Sequence, residues 1–154
     1  MRSSPRRRTR ELVLQGLYQQ QLSGNAGEAI RLQLAESVGY SKSDTEYFAV
    51  LWTGVTRDYE ALLERVAPHL DRRTQDLSPV ERSIVVIGTW ELEHQVDIPY
   101  RVVINEAVEL AKSFGGTDGH KFVNGVLDKV AAELRGGEIT AERSARAAPD
   151  VGTG

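Results

Sequence analysis

The chain has 154 residues, a net charge of −3 and no cysteine, which excludes disulfide frameworks, thiolate catalysis and cysteine-ligated zinc. Hydrophobic residues make up 40% and aromatics only 6%, so one compact domain or two small subdomains with a largely aliphatic core is expected. No apolar run approaches the roughly 20 residues that span a bilayer and no secretory h-region opens the chain, so the expected setting is cytoplasmic, with no membrane partner.

Charge is unevenly placed. Residues 1–10 hold five arginines and no acid, +5 against −8 for the rest of the chain. Ser4-Pro5 predicts a helix start, a capping hydroxyl followed by proline at the first helical position. Arg6, Arg7, Arg8 and Arg10 then fill the first turns, where the helix dipole favours acids and each cation costs roughly a few tenths of a kcal/mol. They run directly into Val13 with Leu17 and Leu14 with Tyr18, a packed-helix pattern that argues against a removable transit peptide.

This first helix is predicted from Pro5 to Leu22, ended by Ser23-Gly24-Asn25. A second covers Ala29 to Val38, with Ile30, Leu34 and Val38 on one face. Ser43-x-x-Glu46 reads as a capping box that opens a third segment through Tyr47, Leu51, Val55, Leu62 and Val66. Gly54 marks close packing or a kink within it, and Pro68 ends it. Ser78-Pro79-Val80-Glu81 is a stronger start. The run after it is apolar on most sides through Ile84, Val85, Ile87, Trp90 and Leu92, the mark of a central buried helix. Asp97-Ile98-Pro99-Tyr100 begins the next, with Val103, Ala107, Leu110 and Ala111 inward and Gly115-Gly116 as its stop. The last helix turns Phe122, Val123, Val126, Leu127, Val130 and Leu134 inward. After Gly136-Gly137 the apolar periodicity ceases, so a 1–137 domain followed by a disordered tail over 138–154 is expected. The pattern as a whole is an all-α domain of about seven helices.

Catalytic constellations are missing from the sequence. His69, His94 and His120 share no zinc-type spacing, and "FGGTDGHK" lacks both P-loop spacing and a preceding strand. Glu91 with Glu93 and Glu106 with Glu109 have no nucleophile or metal set beside them. No enzyme activity, metal or cofactor is expected.

The arginines point to an anion. On a helix Arg6 and Arg10 are one turn apart and Arg7 shares their face, a spacing suited to gripping successive phosphates beside the free amides of the helix end. Cations at a disfavoured end also predict that removing all four leaves stability unchanged or slightly higher. Single-stranded RNA further requires stacking platforms. Tyr18, and Phe122 next to Lys121, are the candidates, with core packing the alternative for both.

Three stretches carry a family resemblance: "RRRTRELVLQGLYQ", "VERSIVVIGTWEL" and "IPYRVVINEAVELAKSFGGTDGHKFVNGVLDKV". In order and spacing, over residues 5–134, the chain resembles the NusB family of bacterial transcription antitermination factors. The resemblance implies two perpendicular three-helix bundles. It implies binding of single-stranded boxA RNA from ribosomal RNA leaders, together with NusE, the ribosomal small-subunit protein, in an antitermination complex with RNA polymerase. It assigns Arg6, Arg7, Arg8 and Arg10, with Tyr18, Glu81, Lys121 and Phe122, to RNA, and Tyr100, Asn105, Phe114 and Asp118 to NusE. Trp90 stands where tyrosine is often found, and Gly16 stands where alanine would suit a helix better by roughly 1 kcal/mol. Two alternatives stay open: an accessory RNA-binding module of a ribosomal RNA methyltransferase, and a protein-only scaffold whose basic arm binds an acidic partner.

Overall fold

The structure is a computed structural model that describes residues 4–147. Eight α-helices and three single 3-10 turns account for its regular structure, with no strand among the described residues. None of these helices is long and apolar enough to cross a membrane.

Helix α1 (Pro5–Ser23) starts where its cap chemistry places it: the Ser4 hydroxyl accepts from the Arg7 amide at 3.1 Å. It ends at Gly24, whose φ of 71° is the left-handed turn that favours glycine. Helix α2 (Gly27–Ala35) buries Ile30 and Leu34. It stops before Val38, which is exposed rather than inward as predicted. The predicted third segment is two helices, α3 (Thr45–Arg57) and α4 (Tyr59–Val66), broken at Asp58. The cap of α3 is Asp44, which accepts from the Tyr47 amide at 3.0 Å. Ser43, the predicted cap, instead donates its hydroxyl to the Tyr40 carbonyl at 2.6 Å. Helix α5 (Pro79–His94) is capped by Ser78 as predicted, the hydroxyl accepting from the Glu81 amide at 3.1 Å.

Helix α5 is the centre of the molecule. Every residue from Ser83 to Leu92 is buried, because α1 and α3 cover one side and α6 (Tyr100–Phe114) with α7 (Gly119–Leu134) cover the other. Small residues set the helix spacing. A Cβ on Gly16 would meet the Trp52 ring at 2.5 Å and Leu34 at 2.8 Å, and one on Gly54 would collide with the Trp90 indole. Gly16 is therefore not a weakened helix position but the seat of Trp52, and Trp90 has its matching gap in Gly54.

The predicted tail is overturned over residues 138–147. Gly136–Ala147 forms an eighth helix, α8. Its anchor is polar. Arg135, buried, donates to the carbonyls of Leu92 (2.7 Å), Gln95 (2.9 Å) and Ile98 (3.1 Å), closing the C-terminal end of α5. Glu138 pairs with Arg135 at 2.6 Å and accepts from the otherwise free Tyr100 amide at 3.0 Å, so it caps α6. Arg101 and Arg146 hold Glu142 at 2.5 and 2.7 Å, and Ile139 packs against the core. Residues 148–154 lie outside the described residues.

Candidate nucleic-acid interface

The N-terminal arginines divide by direction. Successive residues of a helix are turned by about 100°, so Arg7 and Arg10 face α5 and α6, whereas Arg8 faces away. Arg10 is 4% exposed and Glu91, opposite it on α5, is 1% exposed. The Arg10 guanidinium donates through Nε to Glu91 Oε1 at 2.9 Å and through Nη2 to Oε2 at 2.9 Å, a two-pronged pair. The Tyr47 hydroxyl donates to the same Oε2. Burial first, and Glu91 next, push the Tyr47 hydroxyl well above its ordinary value. For Arg10, burial opposes the charge, yet Glu91 outweighs it and the guanidinium is held above its ordinary range.

Arg7 is half-buried and donates twice to Glu106 on α6, Nε to Oε2 at 2.9 Å and Nη2 to Oε1 at 3.1 Å. That hydrogen bonding raises its pKa further. The sequence-based assignment of Arg10 to phosphate is thus corrected: its donors are spent inside the protein. The expectation that the arginines are free of stability cost falls with it. The apparent misplacement of cation at a helix start has a structural cause, two carboxylates from α5 and α6 that reach that end and neutralise it. No local signal in the sequence links position 10 to position 91.

The outward side is different. Arg6 is exposed, 4.3 Å from the centroid of the Tyr47 ring and 3.6 Å from Asp44. Arg8 makes no ion pair among the described residues and borders a groove of about 640 Å³. The groove runs along α1 past Glu11, Gln15 and Tyr18, with the Ser37–Gly39 turn, Val80 and Phe114 as its other walls. Tyr18 is 40% exposed and Phe114 50%. The structure therefore brings together Arg8 and Tyr18, both assigned to RNA, with Phe114, assigned to NusE.

A second cluster lies at the start of α7. Phe122 is half-buried against the core, with the Arg72 guanidinium 4.7 Å from its centroid. Glu81 backs onto Gly119, its Oε1 3.3 Å from where a Cβ would be, and Asp71 first, then more weakly Glu81, favours the charge on Arg72. Lys121 is exposed and 3.6 Å from Asp118. Arg72 was missed by sequence reasoning; it sits in an irregular loop, and only its stacking on Phe122 singles it out. The remaining NusE candidates do not converge. Tyr100 opens α6 and Phe114 closes it, about 21 Å apart at 1.5 Å per residue. Asn105 is exposed midway, beside Glu106, and Asp118 lies beyond the far end.

Comparison with known proteins places this architecture. The NusB family model matches residues 7–132. The transcription antitermination protein NusB of Paraburkholderia phytofirmans is 56% identical over 140 residues, covering 91% of this chain and 97% of that one. The protein of the same name from Burkholderia cenocepacia is 54% identical over 144 residues, 94% and 99% of the two chains. Among solved structures, T. maritima NusB superposes with a TM-score of 0.76 at 29% identity, over 86% of this chain and 94% of that one. A chain from a complex of antitermination factors NusB and NusE with double-stranded RNA shares the fold, with a TM-score of 0.71 at 24% identity over 82% and 96%.

Proposed function

The chain belongs to the NusB family, and from that premise we propose that it is a non-enzymatic, cytoplasmic transcription antitermination factor. With NusE it binds single-stranded boxA RNA of ribosomal RNA leaders and promotes read-through by RNA polymerase. The observation that carries this reading is the outward face of α1, where Arg8, without a carboxylate partner among the described residues, lines the same groove as exposed Tyr18. A cation for phosphate next to an aromatic face for a base is what single-strand binding requires.

Arg6 and Arg8 are the phosphate contacts. Arg7 contributes what its Glu106 pair leaves free, and Arg10 holds the helix rather than the RNA. Phe122 with Lys121 forms a second stacking site, with Glu81 behind it. Tyr100, Asn105 and Asp118 mark the α6–α7 surface offered to NusE.

The whole chain is acidic, at −3, and few cations line the groove face of α1, so RNA affinity alone is modest and a basic partner extends the cationic track. Positive coupling of the usual 1–3 kcal/mol makes boxA RNA bind about 5- to 150-fold more tightly with NusE present. The test is titration of a boxA RNA and a scrambled RNA of equal length, each with and without saturating NusE. Equal affinity for both RNAs under both conditions would overturn the proposal.

A further inference from the structure

The groove beside Arg8 carries a specific chemistry. We infer that the cleft between α1, the Ser37–Gly39 turn and Phe114 is a base-reading pocket that takes one amine-bearing nucleobase of the bound single strand, with Glu11 as its discriminating residue. This deepens the RNA-binding reading and rests on it.

Four features of the cleft converge. Its volume, about 640 Å³, falls among pockets that enclose small ligands, about 300–1,000 Å³. Its walls are two aromatic side chains left half-exposed, Tyr18 and Phe114, on elements far apart in sequence. Phe114 is the last residue of α6 and makes no ring–ring or cation–ring contact among the described residues, so its face is open to stacking. Arg8 stands on the same side of α1 as Glu11, Gln15 and Tyr18, at helical intervals of three and four. A phosphate held by Arg8 thus sits at one end of the surface that Glu11, Gln15 and Tyr18 continue.

Glu11 is the unusual member. Its carboxylate makes no hydrogen bond or ion pair among the described residues, although it lies in a largely apolar cleft and adds only a distant attraction to Arg7. An ionised carboxylate only accepts hydrogen bonds. It therefore pairs with the exocyclic amine of cytosine, adenine or guanine and meets the flanking carbonyls of uracil unfavourably. A hydrophobic side chain from a protein partner would also fill the aromatic part of the cleft, but it would leave both Arg8 and Glu11 without a role. The charge complementarity favours a nucleotide.

The test is a uridine scan of a short boxA RNA, one position replaced at a time, read by fluorescence anisotropy against the full chain, Glu11→Gln and Phe114→Ala. In the parent, uridine at one amine-bearing position is expected to weaken binding about tenfold. Glu11→Gln, whose amide both donates and accepts, flattens that preference, so that the unsubstituted RNA and the uridine-substituted RNA bind within about threefold of each other. Phe114→Ala weakens all RNAs that keep the base by about tenfold and leaves an RNA abasic at that position unaffected. Thermal melting of both variants at the parent temperature confirms that they fold.

A flat scan in the parent, or a preference that survives Glu11→Gln, overturns the pocket while leaving RNA binding standing. Loss of NusE binding in Phe114→Ala with an unchanged uridine scan makes the cleft a protein-docking surface and also overturns it. If the parent binds none of these RNAs, the broader RNA reading fails, and the pocket with it.

Discussion

Arg8 and Arg10 stand two residues apart on one helix and carry the same charge, yet they belong to different parts of the protein. About 200° of helical turn separates them. Arg10 is locked against Glu91 and Tyr47 in the interior, while Arg8 edges an open groove and makes no ion pair among the described residues. A cluster of like residues in sequence is therefore not a cluster of like functions. What sorts them is which neighbouring helix supplies an acid, and that depends on partners 81 and 99 positions away.

The sharpest way to break the comparison is to remove the inward arginine. Arg10→Ala leaves Glu91 buried and uncompensated and is expected to cost about 3–5 kcal/mol of stability, read as a fall in the urea midpoint. Converting Arg10, Glu91 and Tyr47 together to Met, Leu and Phe removes the charges and both polar ends. It should recover most of that loss, because a well-packed apolar replacement of a buried ion pair is often neutral or better. If Arg10→Ala unfolds like the parent, the inward assignment is wrong. The Tyr47 hydroxyl adds an alkaline signature. Its folded pKa lies above its unfolded value, so its contribution is intact below pH about 10 and is lost as pH rises beyond that. The urea midpoint of the parent should fall more steeply above pH about 10 than that of Tyr47→Phe, measured across a series of buffers.

A smaller effect tests the packing that holds α1 against its neighbours and so fixes which way each arginine points. Helix propensity alone says that Gly16→Ala stabilises α1 by roughly 1 kcal/mol. The Trp52 ring, 2.5 Å from the added Cβ, reverses the sign. Overpacking at this site is expected to destabilise the protein by about 1–3 kcal/mol. A rise in melting temperature for Gly16→Ala would show that α1 and α3 have room to separate.

Features encoded locally were legible in the sequence. The caps at Ser4 and Ser78, the stop at Gly24 and the all-round apolar character of α5 depend on residues a few positions apart, and each is found where it was expected. Features encoded at a distance were not. Helix α8 has almost no apolar stripe, since polar contacts from Glu138 to Arg135 and Tyr100 hold it, so a search for hydrophobic periodicity passes over it. The choice of Asp44 over Ser43 likewise turns on tertiary contacts: Thr9 on α1 donates to the Asp44 carbonyl and accepts from its amide. In the candidate interface, residue types pointed to an anion and a stacked base. Burial of Arg10, the pairing of Arg7, the stacking of Arg72 on Phe122 and the meeting of Arg8 with Phe114 required the fold.

The smallest stability change is predicted for the outward arginine. Arg8→Ala removes a side chain that satisfies no buried group, so stability should stay within about 0.5 kcal/mol of the parent. The helix dipole even favours loss of a cation in the first turns, by roughly a few tenths of a kcal/mol. RNA binding should respond instead. One lost phosphate contact lowers the slope of log affinity against log salt by about 0.7 for a single strand, and it does so for boxA and scrambled RNA alike, because phosphate carries no sequence information. Arg8→Lys keeps the point charge and should keep most of the slope while losing the two-pronged geometry. Arg7→Ala should fall between the extremes, since its Glu106 partner is only partly buried. An Arg8→Ala protein that melts far below the parent, or whose salt slope is unchanged, would place Arg8 on the same footing as Arg10 and remove the outward face of α1 from RNA binding.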